Sequence, residues 1–403
     1  MRDPGRMNPR VDAFEHIGPE VRIFYGPASL ARLSQELTRA GCRRPLVVCG
    51  ASVAAGDALA LVKEALGASL AGVFAEVRSH SPLPDVEHAA QALADADADS
   101  VIAVGGGSAL VTARAAVVLL AEGSDVRALC TSRGTDGRMT SPRLSAPKLP
   151  IFAVPTTPTT ALVKAGSAVL DPETGQRLAL FDPKTRARAV FVHPRLVASA
   201  PVSLTRSASL NALAMAIEGL ESATGTPLAD AALMHAVRLL AEHLPKLEHA
   251  PDDPACRGQL VVASILCGQG TDHAGGGLAS VLGHAVGPRS NVGNGIVNAI
   301  VLPHTLRFNA PATGGRLRKV LDALGGSGDG VASHGNDVAP VAIAAVEALL
   351  AKLSIPGRLR DIGISREEFS DIADEALHDW FVQRNPRQVE GAGDLVALLE
   401  AAW

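Results

Sequence analysis

Residues 1–200 of this chain predict an α/β domain of Rossmann-like, nucleotide-binding build, and residues 201–403 predict an all-helical domain. Three features carry that reading. Short, unbroken apolar runs alternate with helical periodicity through the first half. A glycine-rich turn, GGGS, joins one of those runs to a helix. Beyond Leu210 no strand-like alternation returns. Buried β-branched runs separated by helices are what a parallel sheet covered on both faces requires.

In chain order, RPLVVCG (Arg44 to Gly50) reads as a buried strand ending in a turn, and DALALVKEALGA as the helix that follows it. LAGVFAEV is a second strand and DVEHAAQALADAD a second helix. DSVIAVGGGS is a third strand running into the glycine loop, ALVTARAAVVLLAEG the helix after it, and LPIFAVPTT a further strand. The domain boundary falls near Val192–Ser209. After it, PLADAALMHAVRLLAEHLPKL, GQLVVASILCGQG and APVAIAAVEALLAKL all carry the 3.6-residue period of helices. Two segments rich in Gly, Ser, Pro and Asp, Thr131 to Pro147 and Gly325 to Asp337, read as loop insertions. There is no internal repeat.

At 403 residues the chain is long enough for two cores, and 47% hydrophobic with 19% charged residues is an ordinary soluble balance. Only 3% of residues are aromatic, so Ala, Val and Leu must build the interior. A net charge of -4 with no basic stripe argues against nucleic-acid binding. The five cysteines (Cys42, Cys49, Cys130, Cys256, Cys267) are scattered without a CxxC pair, the pattern of free thiols in a reducing compartment. MRDPGRMNPR lacks the apolar core of a secretion signal. The most apolar stretch, SVIAVGGGSALVTARAAVVLLA, is broken by glycines and Arg114. A cytoplasmic protein without a membrane span is expected.

Gly105, Gly106, Gly107 and Ser108 lie between a buried strand and a helix start. Glycines there let the backbone approach a pyrophosphate, and the helix N-terminus offers N–H donors and positive dipole. The GxGxxG fingerprint is absent, so a plain tight turn is the competing reading of the local pattern. VPTTPTTALVK follows another buried strand; Thr156, Thr157, Thr159 and Thr160 either line a phosphate or ribose or satisfy their own backbone. In LNALAMAIEG, Asn211 and Met215 stand one turn apart on a helix face, the spacing by which a helix offers two side chains to one metal. An amide and a thioether are poor ligands for a hard cation.

FYGPASLARL, VIAVGGGSALVTARA, AVPTTPTTA, SASLNALAMAIEGL and LGHAVGPRSNVGNGIVNAIVLPHTLRFN together resemble the iron-containing alcohol dehydrogenase superfamily, whose fold is related to dehydroquinate synthase. HSPLPDVEHAA, the Asn of LNALAMAIE, and ILCG ahead of LGHAVG resemble its maleylacetate reductase branch. The resemblance implies a cleft between the two domains and hydride transfer between NAD(P)H and a small-molecule alcohol or carbonyl; a homodimer is expected only as the commonest oligomeric state. In metal-dependent members an Asp and a His one turn apart, then two further His, hold the metal. The matching positions here are Asn211, Met215, Ser280 and Asn294, of which Asn211 is also Asn in the maleylacetate reductase pattern. Fe²⁺ and Zn²⁺ take imidazole and carboxylate at roughly 2.0–2.2 Å, so no metal is expected. The family's GGGSxxD Asp is Val111, its usual Lys is Arg114, and its Ser-Glu is Leu162 and Val163. Gly50 stands where NAD-preferring relatives have Asp, which leaves NAD and NADP both open.

Without a metal, charge at the substrate oxygen must be met by donors or a proton shuttle. His284 matches a family His near the nicotinamide and is the expected acid–base group, with Asn211 and Ser280 expected to hold the oxygen. Asp272 with His273, His304, and Arg289 as a carboxylate partner are further candidates, each also readable as structural. The expected function is a metal-independent NAD(P)-dependent oxidoreductase acting on a small hydroxy or keto compound, carboxylated ones included. The alternatives are oxidative decarboxylation of a β-hydroxy acid in natural-product or peptide tailoring, and a non-redox lyase, cyclase or binding protein.

Overall fold

The computed structural model describes residues 14–123, 125–134, 139–325 and 338–403. The stretch read for a secretion signal, the tip of the Thr131–Pro147 insertion and all but the first residue of the Gly325–Asp337 insertion lie outside the described residues. The chain folds as two units. One is Pro19–Pro201 with Asp253–Val261; the other is Val202–Asp252 and Val262–Trp403 with the residues up to Gly18.

The first unit is built on six strands, β1 (Arg22–Tyr25), β2 (Pro45–Val48), β3 (Gly72–Phe74), β4 (Ser100–Gly105), β7 (Ile151–Pro155) and β10 (Ala187–Val192). Their order is β1-β10-β7-β4-β2-β3 and every neighbouring pair is parallel. β2, β4 and β7 are buried along their whole length, as their unbroken apolar runs require. The connections are α1 (Leu33–Arg39), α2 (Ala51–Ala54), α3 (Asp57–Leu66), α4 (Leu83–Asp95), α5 (Gly107–Glu122) and α6 (Pro194–Ala198). Val47, Ile102, Phe152 and Phe191 from four adjacent strands pack with Leu33, Leu59 and Val62 into one core layer.

Two antiparallel pairs stand outside the main sheet: β5 (Ser132–Arg133) with β6 (Met139–Thr140), inside the first insertion, and β8 (Gly166–Leu170) with β9 (Arg177–Phe181). The second hairpin adds to the strands expected from the sequence; its turn, DPETG, joins two short runs, GSAVL and RLALF. The start of α9 (Pro254–Ala274) belongs to this unit. Buried Arg257 fixes it there, donating through Nη1 to the carbonyls of Val197 (3.2 Å), Ala198 (3.2 Å) and Ala200 (2.5 Å). These are open carbonyls at the end of α6, which a cation satisfies best.

In the second unit the described residues form helices and turns: α7 (Val202–Glu221), α8 (Pro227–His249), the rest of α9, α10 (Leu278–Val286), α11 (Asn294–Thr313), α12 (Arg318–Ala323), α13 (Val338–Leu350), α14 (Phe369–Ala376) and α15 (Ala392–Ala402). α7 and α11 are buried on nearly all sides, so their sequences show no strong amphipathic stripe. They approach at Gly295, where a Cβ would stand 1.7 Å from the carbonyl oxygen of Ser207. α10 joins them through Gly283, set on the amide of Asn298, and Gly287 just beyond it, set on that of Asn294. Small residues at these three points bring three helix backbones close enough to cluster their polar side chains. No described helix is long and apolar enough to cross a membrane, and all five cysteines are free and buried.

Candidate active site

In the α/β unit the two loops expected to hold a dinucleotide meet. Gly105 ends β4 beside Pro155 of β7, and the N–H of Thr156 donates to the Gly105 carbonyl at 3.0 Å. Gly105 takes φ +144°, a backbone setting that favours glycine. Gly106 precedes α5, and a Cβ on it would stand 2.7 Å from Thr157 Oγ1; one on Gly107 would stand 3.3 Å from Thr159 Oγ1. The first turn of α5 has no side-chain cap. Its N–H groups and dipole therefore face whatever lies beyond the carboxyl ends of β4 and β7, where α/β sheets bind ligands. Thr156 and Thr157 are buried beneath this turn and Thr160 is half-buried. Thr159 accepts from the N–H of Ala161 at 3.2 Å, the self-satisfying alternative realised. Ser108 is held from the far side by Ser81, whose hydroxyl donates to its carbonyl at 3.1 Å. His80 and Ser81 have φ of 64° and 50°, a strained pair at this loop. Glycine cradle, uncapped helix start and hydroxyls fit a bound dinucleotide phosphate.

In the helical unit the four family metal positions have other partners. The Asn211 amide lies 3.6 Å from Met215 Sδ and 3.0 Å from the amide of Asn298. The other end of Asn298 faces the carbonyls of Asn294 (2.8 Å) and Ala279 (3.1 Å), so its nitrogen belongs there; its oxygen then accepts from Asn211 with the Asn211 amide turned as well, nitrogen toward Asn298. Asn294 Oδ1 is buried without a hydrogen-bond partner. Ser280 donates its hydroxyl to Glu218 Oε2 at 2.5 Å and its N–H to Glu218 Oε1 at 2.9 Å. Glu218 thus caps α10, whose N-cap residue Gly277 has no side chain to do so. With its proton turned to Glu218 and only 2% of its surface exposed, Ser280 has no donor left for a substrate oxygen. An amide, a thioether, a hydroxyl bound to a carboxyl and a second amide supply neither anion nor imidazole. This donor set does not fit Fe²⁺ or Zn²⁺, and the described residues hold no group of three or more His, Cys, Asp or Glu able to bind a metal.

One turn beyond Ser280, His284 Nδ1 meets Asp379 Oδ2 at 2.7 Å. The rings of Trp380 and Phe381 stand 5.6 and 6.1 Å from the imidazole. Asp379, Trp380 and Phe381 were missed by sequence reasoning. The available signal was two adjacent aromatics, one of them one of only two tryptophans, in an aromatic-poor chain. The other candidates are elsewhere engaged. His273 stacks on His16 at 3.9 Å. Arg289 pairs with Glu375 at 2.5 Å and with the Ala285 carbonyl at 2.7 Å, so its charge is already met. His304 lines a pocket of about 320 Å³ with Ile300, Pro303, Glu347 and Leu353, which none of the other candidates lines. Burial, then Arg307, push its imidazole below the usual range.

Burial raises the carboxyl of Glu218, against hydrogen bonds from Ser280, Gly277 and Ala279 that pull it down. Burial pushes Glu221, next on the same helix face, well above the ordinary 4.5, opposed by the Asn309 amide and reinforced by Glu218. A carboxyl raised by folding contributes its full stability below its unfolded value, and that contribution is lost as pH rises through the folded value. The stability of Glu221→Gln relative to wild type is therefore expected to rise with pH from about pH 4.3 upward, the unfolded Glu value. Urea unfolding midpoints of both proteins from pH 4 to 8 check this; a difference that stays flat refutes it.

Two family models cover the chain: iron-containing alcohol dehydrogenase over residues 19–194, and the C-terminal part of the Fe-containing alcohol dehydrogenase family over residues 205–403. Lactaldehyde reductase of Escherichia coli K12 is 28% identical over 94% of this chain and 97% of its own. Maleylacetate reductase 2 of Cupriavidus pinatubonensis is 31% identical over 96% of each. The solved alcohol dehydrogenase from Oenococcus oeni superposes with a TM-score of 0.88 at 25% identity, over 97% of this chain and 100% of its own. Maleylacetate reductase from Agrobacterium tumefaciens does so with a TM-score of 0.78 at 25% identity, over 97% and 98%. An oxidoreductase in build and in relatives, the chain belongs to the iron-containing alcohol dehydrogenase family, near its maleylacetate reductases.

Proposed function

We propose that this enzyme is a metal-independent NAD(P)-dependent oxidoreductase that interconverts a small carbonyl compound and its alcohol. One pair of observations supports the reading: the glycine turn at Gly105–Ser108 and the uncapped helix start after it fit a dinucleotide phosphate, while the four metal positions offer no anionic or imidazole ligand. When bound, the nicotinamide supplies or accepts the hydride. The chain's own task is then the proton and the charge at the substrate oxygen. His284 delivers that proton in reduction and removes it in oxidation. Asn211, half-buried, donates one N–H to Asn298 and keeps a second for the oxygen. Ser280 contributes by holding the start of α10 through Glu218. Gly50, after β2, places no carboxylate against a ribose 2′-phosphate, so both NADH and NADPH are accepted. Relatives are named for lactaldehyde, maleylacetate and 1,3-propanediol, which sets small oxygenated compounds as the substrates to screen.

The test is a fluorescence titration of chelator-treated protein with NADH and NADPH, with metal analysis of an untreated sample. Saturable binding and unchanged turnover after chelation are expected. Stoichiometric iron or zinc whose removal abolishes turnover overturns metal independence. No binding of either nucleotide overturns the redox reading.

A further inference from the structure

We infer that Asp379 is a positioning residue that fixes the tautomer and plane of His284, making an imidazole do the work for which a metal cation is lacking. The inference rests on the proposed role of His284. Asp379 holds two bonds at once: Oδ2 meets His284 Nδ1 at 2.7 Å, and Oδ1 accepts the N–H of Phe381 at 2.8 Å. With both oxygens engaged, the carboxylate cannot rotate away. A carboxylate only accepts, so Nδ1 carries the hydrogen and Nε2 is left to give or take a proton. The negative charge stabilises the imidazolium from which a proton reaches a developing alkoxide.

The segment bearing Asp379 is itself seated. Phe381 lies on Gly276, where a Cβ would stand 3.0 Å from its ring, and Arg384 lies on Gly275, where one would stand 2.9 Å from its Cδ. Both glycines belong to the link leading into α10, so the carboxylate and the helix carrying His284 share one support. Of the other carboxylates on the elements packed against α10, Asp371 and Asp374 of α14 are exposed to solvent, and two more are engaged elsewhere. Glu218 of α7 binds Ser280, and Glu375 of α14 pairs with Arg289. α11 brings the uncharged amides of Asn294 and Asn298 to it. Asp379 is the carboxylate hydrogen-bonded to His284 among the described residues.

Asp379→Asn tests this in the full-length protein. Phe381 N–H holds the amide oxygen, so the amide nitrogen turns to His284 and donates to Nδ1. The neutral imidazole then becomes the Nε2–H tautomer, a wrong-way donor. ¹⁵N shifts of the His284 ring, assigned by its disappearance in His284→Asn, are expected to change from the Nδ1–H to the Nε2–H pattern. Turnover is expected to fall about 10- to 100-fold, with nucleotide affinity unchanged and partial recovery in Asp379→Glu. If Asp379→Asn does not accumulate, Asp379→Ser is read instead; loss of a single fixed tautomer is expected there. A His284 ring that keeps its Nδ1–H pattern in these variants overturns the positioning role. The ring spectra report on Asp379 without turnover, whereas full turnover in His284→Asn overturns the proton-transfer reading alone.

Discussion

Turnover of the His284→Asn enzyme is expected to fall by about 10²- to 10⁴-fold, the range supplied by a positioned general acid. The size of the effect follows from what surrounds the residue. At the four positions matching the family metal site stand two amides, a thioether and a hydroxyl that donates to Glu218, and the proposed metal-independent reading leaves no cation to offset an alkoxide. Transition-state charge must then be met by proton transfer, and the imidazole braced by Asp379 is the group built for it. Asn keeps a polar side chain able to bond Asp379, which limits structural damage but offers no proton near neutral pH. Single-turnover oxidation of bound NADH by a screened aldehyde or keto acid measures the step, and fluorescence titration checks nucleotide binding separately. A loss smaller than tenfold at unchanged binding removes His284 from the chemistry.

How legible was this site beforehand? Features that depend on neighbours in sequence were read well. β2, β4 and β7 are buried on both faces and announce themselves as continuous apolar runs, and GGGS at the end of β4 marks the turn into α5. The exclusively helical character of the described residues beyond Leu210 was equally visible, because helical periodicity is local. Edge strand β1 was not picked out: four residues of mixed exposure give little signal. Pairings between distant residues left no local trace at all. Ser280 meets Glu218 across 62 positions and His284 meets Asp379 across 95, and neither pair shares a spacing rule. The expectation that Ser280 would hold a substrate oxygen was formed without this contact for that reason. Its hydroxyl was visible in the sequence, but the buried carboxyl that receives its proton was not. Arg289 illustrates the same limit, since Glu375, the carboxylate that meets its charge, is 86 positions away.

Gly295→Ala is expected to be the most damaging conservative change in the helical unit. The added Cβ would stand 1.7 Å from the carbonyl oxygen of Ser207, 2.7 Å from its carbonyl carbon and 2.8 Å from the N of Asn211. All three atoms are backbone of α7, so no rotamer change relieves the contact; α7 and α11 must separate. Overpacking a core typically costs about 1–3 kcal/mol when side chains can yield, and a backbone collision should reach the upper end or beyond. Separation would also disturb the amide contact between Asn211 on α7 and Asn298 on α11, so weakened catalysis should accompany lost stability. Gly393→Ala in α15 is the matched control. Nothing lies within 4 Å of its added Cβ, and alanine there should be neutral or stabilising by up to about 1 kcal/mol. Urea unfolding of the two variants beside wild type gives the comparison. Should Gly295→Ala unfold at the same denaturant concentration as Gly393→Ala, the close crossing of α7 and α11 is not what holds these polar side chains together.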